Sequence, residues 1–166
     1  MFTSIEQFAA SWKQQSAATQ QVMDALTDAS LCQEIAPRYR SLGQIGWHLA
    51  TTVHEMPSRT GLIFPQLEGE ELAPASAKVI AEGYRSASKA LLDAVQAQWK
   101  DEDLLKMSDM YGEQWSNGLT LRILIQHEIH HRGQMTVLMR QAGLRVPGLY
   151  GPTREEWIES GMQPLI

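Results

Sequence analysis

The 166-residue chain has little cysteine, no excess of positive charge and no long apolar segment. Its single cysteine, Cys32, excludes an internal disulfide and is typical of a reducing compartment. A formal net charge of −5 argues against a basic surface for nucleic acid. No run reaches the roughly 18 apolar residues of a membrane span, and the N-terminal residues lack the pattern of a secretory signal. We therefore expect a cytoplasmic protein that binds neither nucleic acid nor membrane.

Period-two alternation, the pattern of a half-buried strand, is also missing from every segment of useful length. Apolar residues instead recur at helical spacing in four long segments, which predicts an all-α protein. The first predicted helix covers residues 4–28, and the second is capped by Ser41 and ends or kinks at Pro57. The third opens at Pro74-Ala75-Ser76 and ends near Trp99, and the fourth is capped by Thr120 or Asn117 and ends near Ala142-Gly143. A capping box, Thr153-x-x-Glu156, predicts a short C-terminal helix that ends at Gly161.

The four long segments predict a four-helix bundle that forms a single domain over residues 1–166. The apolar content of 43% is that of an ordinary globular protein. Residues 61–74 have a mixed sequence between the second and third helices. A connection of this length favours one crossover between those helices over a plain up-and-down order.

Two histidines on the predicted fourth helix, His127 and His131, have the spacing of a metal site. They are four residues apart and share a face with the apolar residues Leu124, Met135 and Leu138. Imidazoles that face an apolar interior need a polar partner, because an unpaired buried polar group is costly. A divalent metal is one such partner, and hydrogen bonding within the core is the alternative.

The third ligand comes from the remaining histidines. His48 lies at the edge of the apolar face of the second helix, whereas His54 is turned well over 90° away from it and His130 lies about 100° from His131. The helical geometry therefore selects His48, His127 and His131. Three histidines with an open fourth position are typical of a catalytic metal site, and a hydrogen-bonded His48 is the alternative. If a fourth protein ligand exists, Gln44 and Glu55 are the candidates.

The neighbours of this motif suggest further roles. We expect Gln134, one turn beyond His131, to orient a ligand or a metal-bound water. We expect Arg132 to face solvent, and we expect another helix or subunit to approach Gly133 closely. The tryptophans should mainly fill the core or an interface. Trp115 and Tyr111, just before the fourth helix, are the best candidates for exceptions.

The segment from His127 to His131 also fits the H-E-x-x-H pattern of zinc peptidases, with Glu128 as the general base. A downstream carboxylate would then be the third ligand: Glu155, Glu156 or Glu159. Two features oppose this alternative. The sequence shows no strand to align a peptide, and Glu128 is turned about 100° away from His127 on the helix.

Two segments resemble a known family. Ile45-Gly46-Trp47-His48-Leu49-Ala50 and His127-Glu128-Ile129-His130-His131-Arg132-Gly133-Gln134 are similar to the metal-binding motifs of DinB/YfiT-like four-helix-bundle enzymes. The resemblance implies an up-down-down-up bundle, often a homodimer, with a divalent cation bound by His48, His127 and His131. Some members of that family are thiol-dependent S-transferases or isomerases.

We therefore expect a divalent-metal-dependent enzyme that activates water or a low-molecular-weight thiol, acting on a small molecule as an S-transferase or hydrolase. Zinc and nickel are the expected metals. A non-catalytic metal-binding or stress-response module is the alternative.

We also expect a homodimer. Ile129 and Gly133 lie on the face of the fourth helix opposite the metal ligands, without a large charge between them. Apolar residues of the C-terminal tail, Leu149, Tyr150 and Trp157, add to the groups available for an interface. Alternatively, the tail folds back over its own bundle.

Overall fold

The computed structural model describes residues 1–69 and 72–164 and contains five α-helices and one β-hairpin. The helices are α1 (Ile5–Asp24), α2 (Leu42–Ser58), α3 (Ala77–Gln98), α4 (Asn117–Gln141) and α5 (Arg154–Glu159). The strands are β1 (Met107–Met110) and β2 (Glu113–Ser116), and two short 3₁₀ segments cover Asp28–Ser30 and Asp101–Leu105. None of the described helices is long and apolar enough to cross a membrane. The prediction of a mainly helical protein is confirmed.

The prediction of no strand is wrong at the hairpin. Met107 pairs with Ser116 and Met110 with Glu113 in an antiparallel ladder. Its turn is Tyr111-Gly112, where both residues have positive φ, 60° and 87°, as the tightest hairpin turns require. The strands are only four residues long, and Met110 is the one buried residue among them, so they show no apolar alternation. This explains why the pattern does not reveal them.

Each helix begins with a hydroxyl side chain that accepts a hydrogen bond from a free backbone N–H. Ser41, Ser76 and Thr153 cap α2, α3 and α5 as the sequence predicts. The predicted cap of α4 is wrong, because Ser116 occupies that position. Asn117 instead accepts from Ser108 Oγ and donates to the carbonyl of Asp103, which ties the hairpin to α4.

Other helix ends differ from the predictions by a few residues. α1 stops at Asp24 instead of residue 28, because the chain continues into a separate 3₁₀ turn. Pro57 is accommodated in the last turn of α2, which ends one residue later. The predicted end of α4 is confirmed: Gly143, after the C-cap Ala142, has φ +75°.

Each of the four long helices packs against two others. α1 and α2 both contact α3 and α4. Fully buried side chains from all four fill the space between them, among them Phe8, Trp12, Leu49, Val53, Ile80, Leu91, Leu121 and Leu124. A Cβ at Gly46 would lie 3.2 Å from Ile80 Cγ2, so α2 packs closely just before His48. The predicted up-down-down-up order and crossover stay a prediction.

Arg132 is buried, with 1% of its surface exposed, so the expectation that it faces solvent is wrong. Its Nη1 donates to the Gln15 carbonyl and to Thr19 Oγ1, each at 2.9 Å. Its Nη2 donates to Gln15 Oε1 at 2.7 Å and to the Tyr150 hydroxyl. The guanidinium therefore connects α4 to α1 and to the C-terminal tail.

Glu128, one turn before Arg132, is also fully buried. The Tyr84 hydroxyl lies 2.8 and 2.9 Å from its two oxygens, and Thr19 Oγ1 donates to Oε2 at 3.2 Å. Burial raises the pKa of Glu128 to about 7, although the hydrogen bonds from Tyr84 and Thr19 and the charge of Arg132 act to lower that pKa. Because the Thr19 hydroxyl contacts both charged groups, the two share one polar network inside the core.

We predict that Arg132→Ala lowers the free energy of unfolding by about 2–4 kcal/mol, because it leaves the acceptors of Gln15 and Thr19 without their donor inside the core. Urea unfolding of the purified variant measures this change. Arg122→Ala, at an exposed position of the same helix, is the control and should change the value by no more than about 0.5 kcal/mol. A loss below about 1 kcal/mol for Arg132→Ala would contradict the role assigned to the network.

Candidate metal centre

The three predicted ligands, His48, His127 and His131, come together between α2 and α4. One ring nitrogen of each lies within 4.8 Å of the others. His48 Nε2 and His127 Nε2 are 3.1 Å apart. The ring centroids are separated by 4.9 Å for His48 with either partner and by 4.4 Å for His127 with His131. All three side chains are partly buried.

Helix packing produces this arrangement. His127 and His131 are one turn apart on α4, so their rings lie on the same face. α2 packs against that face and supplies His48. All three histidines therefore stand on helices, which hold side chains more precisely than loops do.

The outer ring nitrogens have different partners. His131 Nδ1 lies 2.6 Å from Gln134 Oε1, which agrees with the expectation that Gln134 orients a ligand. His48 Nδ1 lies 3.4 Å from Thr52 Oγ1. The sequence places Thr52 one turn after His48, but its contact was not predicted. His127 Nδ1 is buried and has no partner among the described residues. Partners on Nδ1 leave Nε2 of His48 and His131 available to a cation.

The electrostatics keep the imidazoles neutral. Burial lowers the pKa of both His48 and His127 to about 4, and burial also lowers the pKa of His131. The positive charge of Arg40 lowers the pKa of all three in the same direction. Histidine must be neutral to bind a metal, and these rings are neutral near pH 7 without one.

The donor set fits a divalent cation. Two nitrogens that bind one tetrahedral cation at about 2.0–2.1 Å lie about 3.3 Å apart, close to the Nε2 separation of His48 and His127. Among residues 1–69 and 72–164, no Cys, Asp or Glu joins the cluster. The two fourth-ligand candidates have other partners. Gln44 Oε1 accepts from the Ser41 backbone N–H at 2.8 Å, and Glu55 pairs with Arg59 and Tyr111.

The two spare histidines stay outside the cluster, as predicted. His54 packs against Phe64, with ring centroids 4.8 Å apart. His130 is exposed, and its ring lies beside that of His131 at 5.0 Å. Of the two suggested aromatic exceptions, Tyr111 donates to Glu55 at 2.6 Å and Trp115 donates to Glu113.

The geometry opposes the peptidase alternative. Glu128 points into the core, where Tyr84 and Thr19 bind its carboxylate, so it cannot act as a base beside the histidines. Glu155 pairs with Arg140, and Glu159 pairs with Arg145. The third downstream candidate, Glu156, caps α5 instead.

Two cavities open beside the histidines. The apolar cavity, of about 410 Å³, is lined by Ile35, Tyr39, Arg40, Ile45, His131, Gln134, Val137 and Leu138. The polar cavity, of about 500 Å³, is lined by Glu34, Arg38, Tyr39, Arg40, Gln44, Trp47, His48, Thr51, Leu72 and Ala73. Tyr39 and Arg40 line both. These cavities were missed from the sequence, because the loop that forms them, residues 33–41, has no periodic pattern.

Comparison with known proteins extends this description. The chain is 45% identical over 163 residues to the uncharacterized protein YrdA of Bacillus subtilis (strain 168), covering 98% of each chain. It resembles the crystal structure of a DinB-like protein from Bacillus cereus ATCC 10987, with a TM-score of 0.87 and 47% identity over 90% of this chain and all of that one.

A second solved structure, the DinB-like protein YjoA of Bacillus subtilis, shares the fold alone. It has a TM-score of 0.68 and 17% identity, and the match covers 88% of this chain and 99% of that one. The sequence pattern of the DinB family matches residues 1–162. With this match and the 45% identity to a full-length relative, the chain belongs to the DinB family.

Proposed function

We propose that this protein is a divalent-metal-dependent enzyme that activates water or a low-molecular-weight thiol for attack on a small molecule, as a hydrolase or an S-transferase. The observation that carries the proposal is the convergence of three neutral imidazoles from α2 and α4 beside two cavities. Three imidazoles with an open side are the donor set of catalytic sites. Zinc and nickel are the metals that we favour, since imidazole suits both.

Each residue of the site has a defined task in this proposal. His48, His127 and His131 hold the cation through ring nitrogens, and Gln134 fixes the orientation of the His131 ring. The chemistry that such a cation supplies is Lewis acidity, which lowers the pKa of a water or thiol toward neutral. The surrounding apolar side chains Ile45 and Leu138 exclude bulk water from one side.

A non-catalytic metal-binding module is the alternative. It would favour a fourth protein ligand that closes the coordination shell. The two candidates, Gln44 and Glu55, are occupied by a helix cap and by an ion pair. These contacts support the catalytic hypothesis.

We predict that His48→Ala, His127→Ala and His131→Ala each abolish stoichiometric binding of zinc, because each removes one of three ligands. Elemental analysis of the purified variants measures bound metal. His54→Ala and His130→Ala are matched controls and should bind as the unmodified protein does. Full metal retention in His48→Ala would refute the site that spans α2 and α4.

A further prediction separates a functional metal from a structural one. Four helices already bury a continuous apolar core, so the fold needs no metal to form. Removal of metal by a chelator should leave the far-UV circular dichroism unchanged and lower the melting temperature by only a few degrees. Loss of most of the helical signal would instead favour the structural alternative.

We also propose that residues 1–166 form one domain, with the four long helices in an up-down-down-up bundle and a crossover between α2 and α3. The mutual packing of α1 and α2 with α3 and α4 supports a bundle of these four helices, and the long connection between α2 and α3 favours the crossover. A cytoplasmic location is part of the same proposal, and the free thiol of Cys32 is compatible with it.

We further propose a homodimer through the outer face of α4. Ile129 is 39% exposed there, and no atom lies within 4 Å of a Cβ built at Gly133. The tail contributes less than expected. Leu149 packs against the core and the Tyr150 hydroxyl binds Arg132, so this part of the tail folds back over its own chain.

For the dimer, we predict that Ile129→Glu yields a monomer in light scattering at micromolar concentration with metal binding intact. An interface of ordinary size buries about 1,600 Å² and tolerates few charges at its centre. Val79→Glu, at an apolar residue of α3 with similar exposure, is the control and should leave the dimer unchanged. A monomeric unmodified protein would end this proposal.

A further inference from the structure

The apolar cavity exposes hydrophobic side chains that residues 1–69 and 72–164 leave uncovered. Ile35, Tyr39 and Val137 are 55%, 66% and 51% exposed, and all three line this cavity. Its volume of about 410 Å³ lies within the range of small-molecule sites. A ligand with an apolar body would remove these side chains from water, which is favourable in proportion to the area covered.

Arg40 gives both cavities a positive charge. Arg40 lines the apolar cavity together with His131 and the polar cavity together with His48. In the polar cavity, Arg38 adds a second positive charge and Glu34 a negative one. Within residues 1–69 and 72–164, no carboxylate forms an ion pair with Arg40 or with Arg38. An arginine presents a planar set of N–H donors that matches a carboxylate. Arg40 is therefore available to bind an anion.

The charges around the histidines also favour an anion. Three neutral imidazoles do not offset the charge of a divalent cation, and Arg40 adds one more positive charge. Glu55 is the carboxylate that acts on His48 and His127, and it is already paired with Arg59 at 2.7 Å. The centre is therefore cationic when loaded, although the whole chain carries a net charge of −5.

We infer that the substrate of this centre is an amphipathic organic carboxylate, with its apolar body in the apolar cavity and its carboxylate bound by Arg40. The inference rests on the proposed function, because it names the substrate class of the same site. The bound carboxylate lies beside the histidines. The substrate atoms next to the carboxylate are therefore the ones that face the activated nucleophile.

The test uses the full-length protein, both metal-free and zinc-loaded, and octanoate as the probe in isothermal titration calorimetry. The metal-free protein should bind octanoate at least about tenfold more tightly than it binds octylamine or acetate, because only octanoate matches both the charge and the apolar body. Equal affinity for octanoate and octylamine would overturn the inference, and so would tighter binding of octyl phosphate.

Variants locate the binding site. Arg40→Gln should weaken octanoate binding about tenfold, and Val137→Asp should weaken it by a similar factor through repulsion in the apolar cavity. Arg122→Gln, at an exposed arginine outside both cavities, is the matched control. Unchanged affinity in Arg40→Gln would overturn the inference. Octanoate affinity that falls as protein concentration rises would also overturn it, since a second copy would then cover the apolar cavity.

Zinc binding is measured in parallel and distinguishes the two proposals. Stoichiometric zinc with no preference for octanoate overturns the substrate class alone. Absence of zinc binding overturns the proposed metal centre, whatever octanoate does.

Discussion

The buried guanidinium of Arg132 fixes the rotation of α4, and the metal centre depends on that rotation. Its donors reach Gln15 and Thr19 on α1 and Tyr150 in the tail, and Glu128 is bound in the same network. If α4 were rotated, the buried guanidinium of Arg132 would lose its hydrogen-bond partners, at a cost of several kcal/mol. His131 directly precedes Arg132 and so points about 100° away from it, towards α2 and the cavities.

The cluster of three histidines could be predicted because helix geometry is local. A spacing of four residues determines that His127 and His131 share a face, whatever packs against it. The burial of Arg132 could not be predicted in the same way, since its partners lie on other elements and arginine is rarely buried without them. The apolar face predicted for α4 is therefore rotated relative to the face that is buried in the structure. The prediction placed the histidines deeper in the core than their observed partial burial.

The sequence predicts the ligands better than the shape of the space beside them. That space is formed by residues 33–41, a loop in which Glu34 pairs with Ser41 and Arg38 has φ +73°. A bridge across the loop and a positive φ at a non-glycine residue have no signature in the composition. The β1–β2 hairpin was missed for a related reason: its strands are short with a single buried residue, and its Tyr-Gly turn is not among the usual hairpin signals.

The order in which fold and metal site form follows from burial. Apolar side chains of α1, α2, α3 and α4 form one core, and partial burial keeps the imidazoles neutral without a cation. In small zinc domains the ligands are brought together by the metal, which replaces a core. Here, close packing at Gly46 and the Gln134 contact to His131 set the ligand positions beforehand. Under the proposed function, a cation would enter a site already formed and would not need to contribute its binding energy to folding, which would leave its open coordination positions for chemistry.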